Sequence, residues 1–555
     1  MEASPARVIQ YFNGEKQNLI PLFQRPYTWN ENNWKTLWDD LMVQYEAGDN
    51  GAHFMGAIVS VPARSTPIGV NKYLIIDGQQ RLTTVSILLC SLRDVLDTNS
   101  ASRIQEVYLT NRFRDPEDTL KFVPTQVDRD MYRAIALDRQ VPDNNKDIKI
   151  AAAYHFFKKL LKGKDPSNDT FIDPDKVLKT LEQCLQVVMI NLSDEDDPYL
   201  IFESLNFKGQ PLTQADLVRN YVLMRFKHTV SIGGEQERVY SKYWIPLEKI
   251  LGSNLTEFFR HYTMKNGDDI KKGGIYAAIR ARLKSMNSTE EVEEEMKSMH
   301  KFGEFYASFL LPNQEKTGSI SRCLEHINEI KVTTSYPLLL RLFDARESGS
   351  LSNLELEKCL RLIESLVVRR AVCEVPTNGL NKAFLQLVKN FPEANYFEWL
   401  HLSLLSFSGS SRFPKEAEFA SAFVNQAQYG RVATRFILCR IEESFNHKEV
   451  VDLSSTEKIT IEHILPQTLN EKWKNELGEE WEQIHPRWVH TFGNLTLTGY
   501  NSELGNMPFH EKKVKLENTH IELTRWILEK ENWNAIEIER RAQSMLEIAK
   551  KIWGS

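Results

Sequence analysis

Glu462 and His463 stand side by side in Ile461-Glu462-His463-Ile464-Leu465-Pro466-Gln467, and further along come Gly493-Asn494-Leu495-Thr496-Leu497 and then Asn501. A neutral imidazole keeps a free lone pair near neutral pH, so His463 is the natural base to activate a water. The carboxylate of Glu462 suits a hard cation such as Mg²⁺ or Mn²⁺, and Asn501 offers a second, neutral oxygen. Asn494 counts with the catalytic group, and its place ahead of an apolar run fits a brace between two strands. Base, ligands and brace in this order fit metal-assisted hydrolysis of a phosphodiester. A lone histidine here would read as a core histidine bonded at a strand end. The company of Glu462, Pro466, Asn494 and Asn501 favours the chemical reading. Asn506 and His510 are further candidates for a ligand, and His490 reads first as a satisfied structural histidine and otherwise as a phosphate contact.

A second constellation is Asp77-Gly78-Gln79-Gln80-Arg81, which follows the apolar run Tyr73-Leu74-Ile75-Ile76. A strand, a glycine turn and a helix start aim free backbone N–H groups and the positive helix end at one place, which favours an anion. Arg81 can add paired contacts to phosphate. Gln79 and Gln80 can bond phosphate oxygens or a water, and Asp77 can hold Mg²⁺ or orient that water, a catalytic part in nucleotide hydrolysis. A tight turn capping a core helix accounts for the same residues. Gln24, Arg25 and Tyr27, crowded into Ile20–Trp29, read either as nucleotide contacts or as a structural corner fixed by Pro26. Phe202–Leu212, with Asn206, Lys208 and Gly209, reads first as a structural turn.

Several elements must position these groups. Trp34, Leu37, Trp38, Leu41, Met42 and Tyr45 recur at helical spacing, with Asn30 as N-cap. His53 to Val61 and Lys72 to Ile76 are strand-like, with turn residues between them, so they predict a hairpin with a long loop. Leu82 to Leu96 is apolar nearly all round, as in a buried helix. Residues 226–415 are helix-rich, and Glu290 to Met299 reads as a solvated acidic face. Ser408-Gly409-Ser410-Ser411 reads as a linker. Helices are expected at about 416–446 and 520–552 on either side of the Glu-His motif. The expected architecture is α+β and multidomain, divided at 1–225, 226–415 and 416–555.

Bulk composition bounds the rest. The chain has 555 residues, is 42% hydrophobic and 26% charged, and carries a formal net charge of −6. That is an ordinary globular composition, and too acidic for a dedicated non-specific DNA binder. Any DNA contact must come from local patches: Lys512, Lys513 and Lys515, Arg540 and Arg541, Lys550 and Lys551, or Lys271 and Lys272. Each taken singly reads first as a solvated helix face. The six cysteines form no C-x-x-C pair, which points to reduced thiols. No apolar run is long enough to span a bilayer and the start lacks a signal-like pattern, so a cytoplasmic location without membrane is expected.

Glu-His-Ile-Leu-Pro-Gln with the later Gly-Asn-Leu-Thr-Leu and Asn501 resembles the HNH (ββα-metal) nuclease motif. With Lys512-Lys513, residues 416–555 resemble the C-terminal domain of GmrSD-type modification-dependent restriction enzymes. Residues 8 to 225 resemble that family's N-terminal domain through Gln-Arg-Pro-Tyr, Asp-Gly-Gln-Gln-Arg and Asn-Phe-Lys-Gly.

The resemblance implies a ParB/sulfiredoxin-like N-terminal α/β domain that binds and hydrolyses an NTP, with ATP, GTP, CTP and UTP undistinguished. It implies a helical middle with possible homodimer contacts, and a C-terminal HNH domain. The implied activity is type IV restriction: nucleotide-regulated cleavage of modified double-stranded phage DNA, for example with glucosylated or hydroxymethylated cytosine. Lys512 and Lys513 would contact DNA. The alternatives are a phosphorothioate-sensing nickase with NTPase activity, a nucleotide-switched DNA-binding protein with a weak or inactive nuclease domain, or a toxin-like nuclease acting on RNA or unmodified DNA.

Overall fold

The computed structural model describes residues 2–22, 24–48, 51–62, 70–137, 141, 148–164, 171–192, 213–226, 234–445, 452–453 and 455–554. The turn Phe202–Leu212, and with it Asn206, Lys208 and Gly209, lies outside these residues. The chain forms two units, one of Met1–Lys249 with Gly273–His300 and one of Ile250–Lys272 with Lys301–Ser555. The helical stretch 226–415 is therefore shared between them rather than forming a body of its own.

The first unit is built on a six-stranded mixed sheet. Its strands are β1 (Glu2–Arg7), β2 (Lys16–Leu19), β3 (His53–Pro62), β4 (Asn71–Asp77), β5 (Phe122–Val123) and β6 (Leu185–Asn191), in the order β1-β6-β3-β4-β2-β5. β3 and β4 form the antiparallel hairpin expected from their alternation. β6 pairs parallel with β3 and antiparallel with β1. Helix α1 (Glu31–Ala47) starts at Asn30, whose side chain accepts from Asn32 N–H within a capping box. Trp34, Leu37, Trp38 and Leu41 on its inner face are buried. Helix α2 (Gln79–Arg93) is buried almost throughout, as its all-round apolar pattern requires.

The second unit is mainly helical, with one two-stranded antiparallel sheet, β7 (Thr460–His463) and β8 (Leu495–Thr498). Ser408–Ser411 is not a linker here. Gly409–Ser411 makes a turn of 3₁₀ helix packed on the helix Asn378–Lys389. The two approach so closely that a Cβ on Gly379 would lie 1.9 Å from the Ser410 carbonyl oxygen. The small residues serve that approach rather than flexibility. The helices expected at 416–446 and 520–552 are each broken in two, as Glu416–Asn425 with Thr434–Glu443 and Glu522–Leu528 with Ala535–Ile552. All six cysteines are buried, and none is paired in a disulfide. Among the described residues no helix is long and apolar enough to cross a membrane.

Candidate functional site

β7 and β8 pair in a register that sets Glu462 opposite Thr496 and His463 opposite Leu495, and a short helix, Asn501–Leu504, follows β8. Three devices hold the loop entering β8. Gly493 lies so close to the helix Ala535–Ile552 that a Cβ would sit 2.1 Å from the Ile538 carbonyl oxygen. Only glycine permits this approach. Arg541, on the same helix and buried, donates to the carbonyls of Phe492, Gly493 and Leu495 at 3.2, 2.9 and 2.7 Å and to Leu523 O at 2.9 Å. Arg541 thus staples backbone, and the DNA-facing patch expected for it does not form. Arg540 is exposed and pairs with Glu537.

Asn494 is the third device. Its Oδ1 accepts from Leu465 N–H at 2.7 Å and from the Trp533 indole at 2.9 Å. Its Nδ2 donates to Leu465 O and Val489 O, both at 2.8 Å. The side chain is 0% exposed. With every donor and acceptor engaged, Asn494 positions the loop that ends β7. These bonds are those of the brace between two strands expected from its place ahead of the apolar run.

Successive strand residues face opposite ways, so Glu462 and His463 enter different surroundings. Glu462, 6% exposed, meets Lys512, 1% exposed, at 2.6 Å, and the same ammonium donates to His463 O at 2.7 Å. Burial raises the Glu462 carboxyl and lowers the Lys512 amine, in each case outweighing the attraction between them. Lys512 is therefore an internal counter-ion rather than a DNA contact. Lys513 donates to Lys530 O at 2.6 Å, again a bond within the unit. Asn501 donates through Nδ2 to Thr460 Oγ1 and Ile461 O, both at 2.9 Å, tying its helix to β7. Among the described residues no cluster of three or more His, Cys, Asp or Glu side chains is arranged to hold a metal, and Glu462, the carboxylate expected to take Mg²⁺ or Mn²⁺, has its Oε1 paired with Lys512.

His463 is 5% exposed and is boxed by aromatic rings. Tyr429 meets it edge-on at 4.3 Å between centroids and stacks on His490 at 5.6 Å. His463 Nε2 lies 3.1 Å from His490 Nδ1, and Gln467 Nε2 lies 3.4 Å from His463 Nδ1. His485 Nε2 lies 2.9 Å from Pro466 O and holds the loop after β7. Burial first, then His490, Lys512 and His485, pull the His463 imidazole down to about 4. It is neutral at pH 7, as a base must be. His490 and Tyr429 were not singled out from sequence as partners of His463. The signal was there only as polar or aromatic residues beside the motif, with nothing in the spacing to pair them.

In the first unit, Gln24, Tyr27 and Gln80 are absorbed into the fold. Gln24 donates to Ile76 O at 2.8 Å, and Tyr27 bonds Thr84 Oγ1 and the Trp34 indole, both at 2.7 Å. Gln80 Oε1 accepts from Thr28 N–H at 2.8 Å, and its amide donates to Pro26 O at 3.2 Å. Gln24 and Tyr27 thus brace the corner around Pro26, and Gln80 ties that corner to the start of α2. Arg25 is half-buried in the same stretch.

Asp77, Gly78, Gln79 and Arg81 form the strand–turn–helix expected of them. Gly78 takes φ +91°, and a Cβ there would meet Ile58 at 2.8 Å. No side chain caps the start of α2. Arg81 donates to Met55 O at 2.7 Å and lies 3.4 Å from Asp77 Oδ2. The arrangement offers uncapped N–H groups, a cation and a carboxylate at one helix end, which can take a phosphate group.

No curated protein matches the chain. Residues 8–223 match the GmrSD restriction endonuclease N-terminal domain, and residues 413–548 match the C-terminal domain of GmrSD restriction endonucleases. The two matches cover most of the chain in the family's order, and the chain belongs to the GmrSD restriction endonucleases.

Proposed function

We propose that the chain is a type IV restriction endonuclease that hydrolyses modified double-stranded phage DNA from an HNH-type site, with an NTP bound at Asp77–Arg81 regulating it. One observation carries the nuclease reading: a buried, neutral imidazole at the end of β7, with the loop after it braced by Asn494, the loop entering β8 braced by Arg541, and Nδ1 turned toward exposed Gln467. His463 Nδ1 takes a proton from water as the oxygen forms a bond to phosphorus. The bond from phosphorus to the leaving 3′-oxygen breaks, and that oxygen takes a proton from solvent. Lys512 holds Glu462 Oε1, the oxygen offered to a divalent ion. A divalent ion entering there has to displace that ammonium. The nucleotide reading rests on the uncapped α2 start with Arg81 beside it. The N-terminal sheet is read as the ParB/sulfiredoxin-like core.

A second reading, a nucleotide-switched DNA-binding protein with a weak nuclease, is favoured by the closed Glu462–Lys512 pair. One experiment separates the two. Wild type and His463→Ala are incubated with phage DNA containing glucosylated hydroxymethylcytosine and with unmodified plasmid. Mg²⁺, Mn²⁺ or EDTA, and an NTP, are present or absent. Loss of a general base costs ~10²–10⁴-fold in rate. Selective cutting of the phage DNA, lost in His463→Ala, is expected. Cutting by His463→Ala at the wild-type rate refutes the base assignment. Binding without cutting by wild type establishes the second reading.

A further inference from the structure

His490 carries a consequence that its place in the chain hides. Its ring and its backbone do separate jobs. The backbone carbonyl accepts from Gln428 N–H at 2.7 Å and Tyr429 N–H at 3.2 Å, holding the strap 428–431 across His463. The imidazole instead reaches His463, Nδ1 to Nε2 at 3.1 Å. At the other side of the His463 ring, Gln467 points an amide N–H at Nδ1. A nitrogen that receives a donor presents its lone pair, so with the Gln467 amide in this orientation Nδ1 of His463 is the acceptor and its proton sits on Nε2. His490 Nδ1 is then the acceptor for that proton, and His490 carries its own on Nε2. The order is a directed chain, from Gln467 N–H to His463 Nδ1, and from His463 Nε2–H to His490 Nδ1.

We propose that His490 is the positioning residue of the general base. It fixes the His463 tautomer whose Nδ1 lone pair faces the surface at Gln467, and it stabilises the imidazolium formed when Nδ1 takes the proton of water. The hydrogen bond made by one ring nitrogen sets what the other can do. Tyr429 strengthens the arrangement. Stacked on His490 at 12° and edge-on to His463, it blocks rotation of either ring. At 41% exposure it also leaves one side of the box open to solvent. Gln467 is exposed, so the attacking water reaches Nδ1 by displacing its amide.

The proposal rests on His463 being the base, and the test keeps the two apart. Full-length wild type, His490→Leu and His490→Asn are compared, each with ¹⁵N-labelled histidine. Leucine removes the acceptor and leaves the backbone carbonyl that holds the strap; asparagine restores an acceptor oxygen near Nδ1. Long-range ¹H–¹⁵N spectra read the His463 tautomer without reference to activity, and cleavage of the phage DNA gives kcat and KM separately. His490→Leu is expected to mix the His463 tautomers and to lower kcat by ~10–100-fold with KM unchanged, as for other residues that orient a reacting group. His490→Asn is expected to recover the tautomer and most of kcat. An unchanged His463 tautomer in a folded His490→Leu protein overturns the proposal. So does a kcat loss that asparagine leaves as large as leucine does. If His463→Ala cuts normally, the base assignment fails instead, whatever His490 does.

Discussion

Replacing Lys512 with methionine removes a buried cation while keeping the side chain's length and apolar stem. Glu462 then sits 6% exposed with no counter-ion, and His463 O loses its donor. The intact pair adds little to stability, because burial works against both charges. Breaking it from one side is different, since an uncompensated buried charge costs about 3–5 kcal/mol. For a unit of this size each kcal/mol moves the thermal midpoint by roughly 2 °C, so Lys512→Met is expected to melt about 6–10 °C lower at pH 7.5. The deficit has a pH signature. Protonation relieves the stranded carboxylate, so the gap from wild type shrinks as pH falls from 7.5 toward 5. The double variant Glu462→Gln/Lys512→Met strands no charge and is expected to be more stable than Lys512→Met alone. Calorimetry of the three proteins across pH measures this directly. An unchanged melting point, with weaker DNA binding and a salt dependence reduced by about one phosphate contact, would refute the argument. It would return Lys512 to the DNA-facing role that its neighbour Lys513 implies in the sequence.

Asn494→Ala leaves Leu465 N–H and C=O, Val489 C=O and the Trp533 indole without their partner, so a loss of about 3–5 kcal/mol and of cleavage is expected in denaturant titrations. Arg81→Ala is expected to weaken NTP binding by roughly 10–150-fold, the equivalent of a lost charge-assisted contact, as read by calorimetry with ATP, GTP, CTP and UTP. If wild type binds none of the four, the α2 start is a structural turn. Where NTP does bind and alters DNA affinity, DNA must alter NTP affinity by the same factor. The second unit should be acid-sensitive, because His463 and His261 are both pulled down to about 4. The unfolded chain takes up protons near pH 6.5 that these buried rings refuse. Stability is therefore whole above pH 6.5 and falls as pH drops toward 4, by up to about 3 kcal/mol for each histidine. Urea titrations of wild type and His261→Phe between pH 7.5 and 4.5 are expected to show a shallower fall in the variant.

Where a signal was local, sequence alone determined it. Asn30 caps α1, the alternation in His53–Pro62 and Asn71–Asp77 makes a hairpin, and Leu82 onward is a buried helix, because backbone periodicity and capping depend on near neighbours. Glu462, His463, Asn494 and Asn501 gather around β7 and β8 as their order implies. What each side chain does there was decided by tertiary structure. Gln24, Tyr27 and Gln80 look like ligand contacts along the chain, and become braces once the loop before α1 docks on the start of α2. Lys512 and Arg541 look like surface charge in helical runs, and folding turns both inward, one to a carboxylate and the other to backbone carbonyls. His490 gains its place beside His463 only when β8 pairs with β7 and the strap closes over both. Charge and hydrogen-bonding capacity are written in the residue; the partner that uses them is chosen by which distant surfaces the fold brings to within three ångströms.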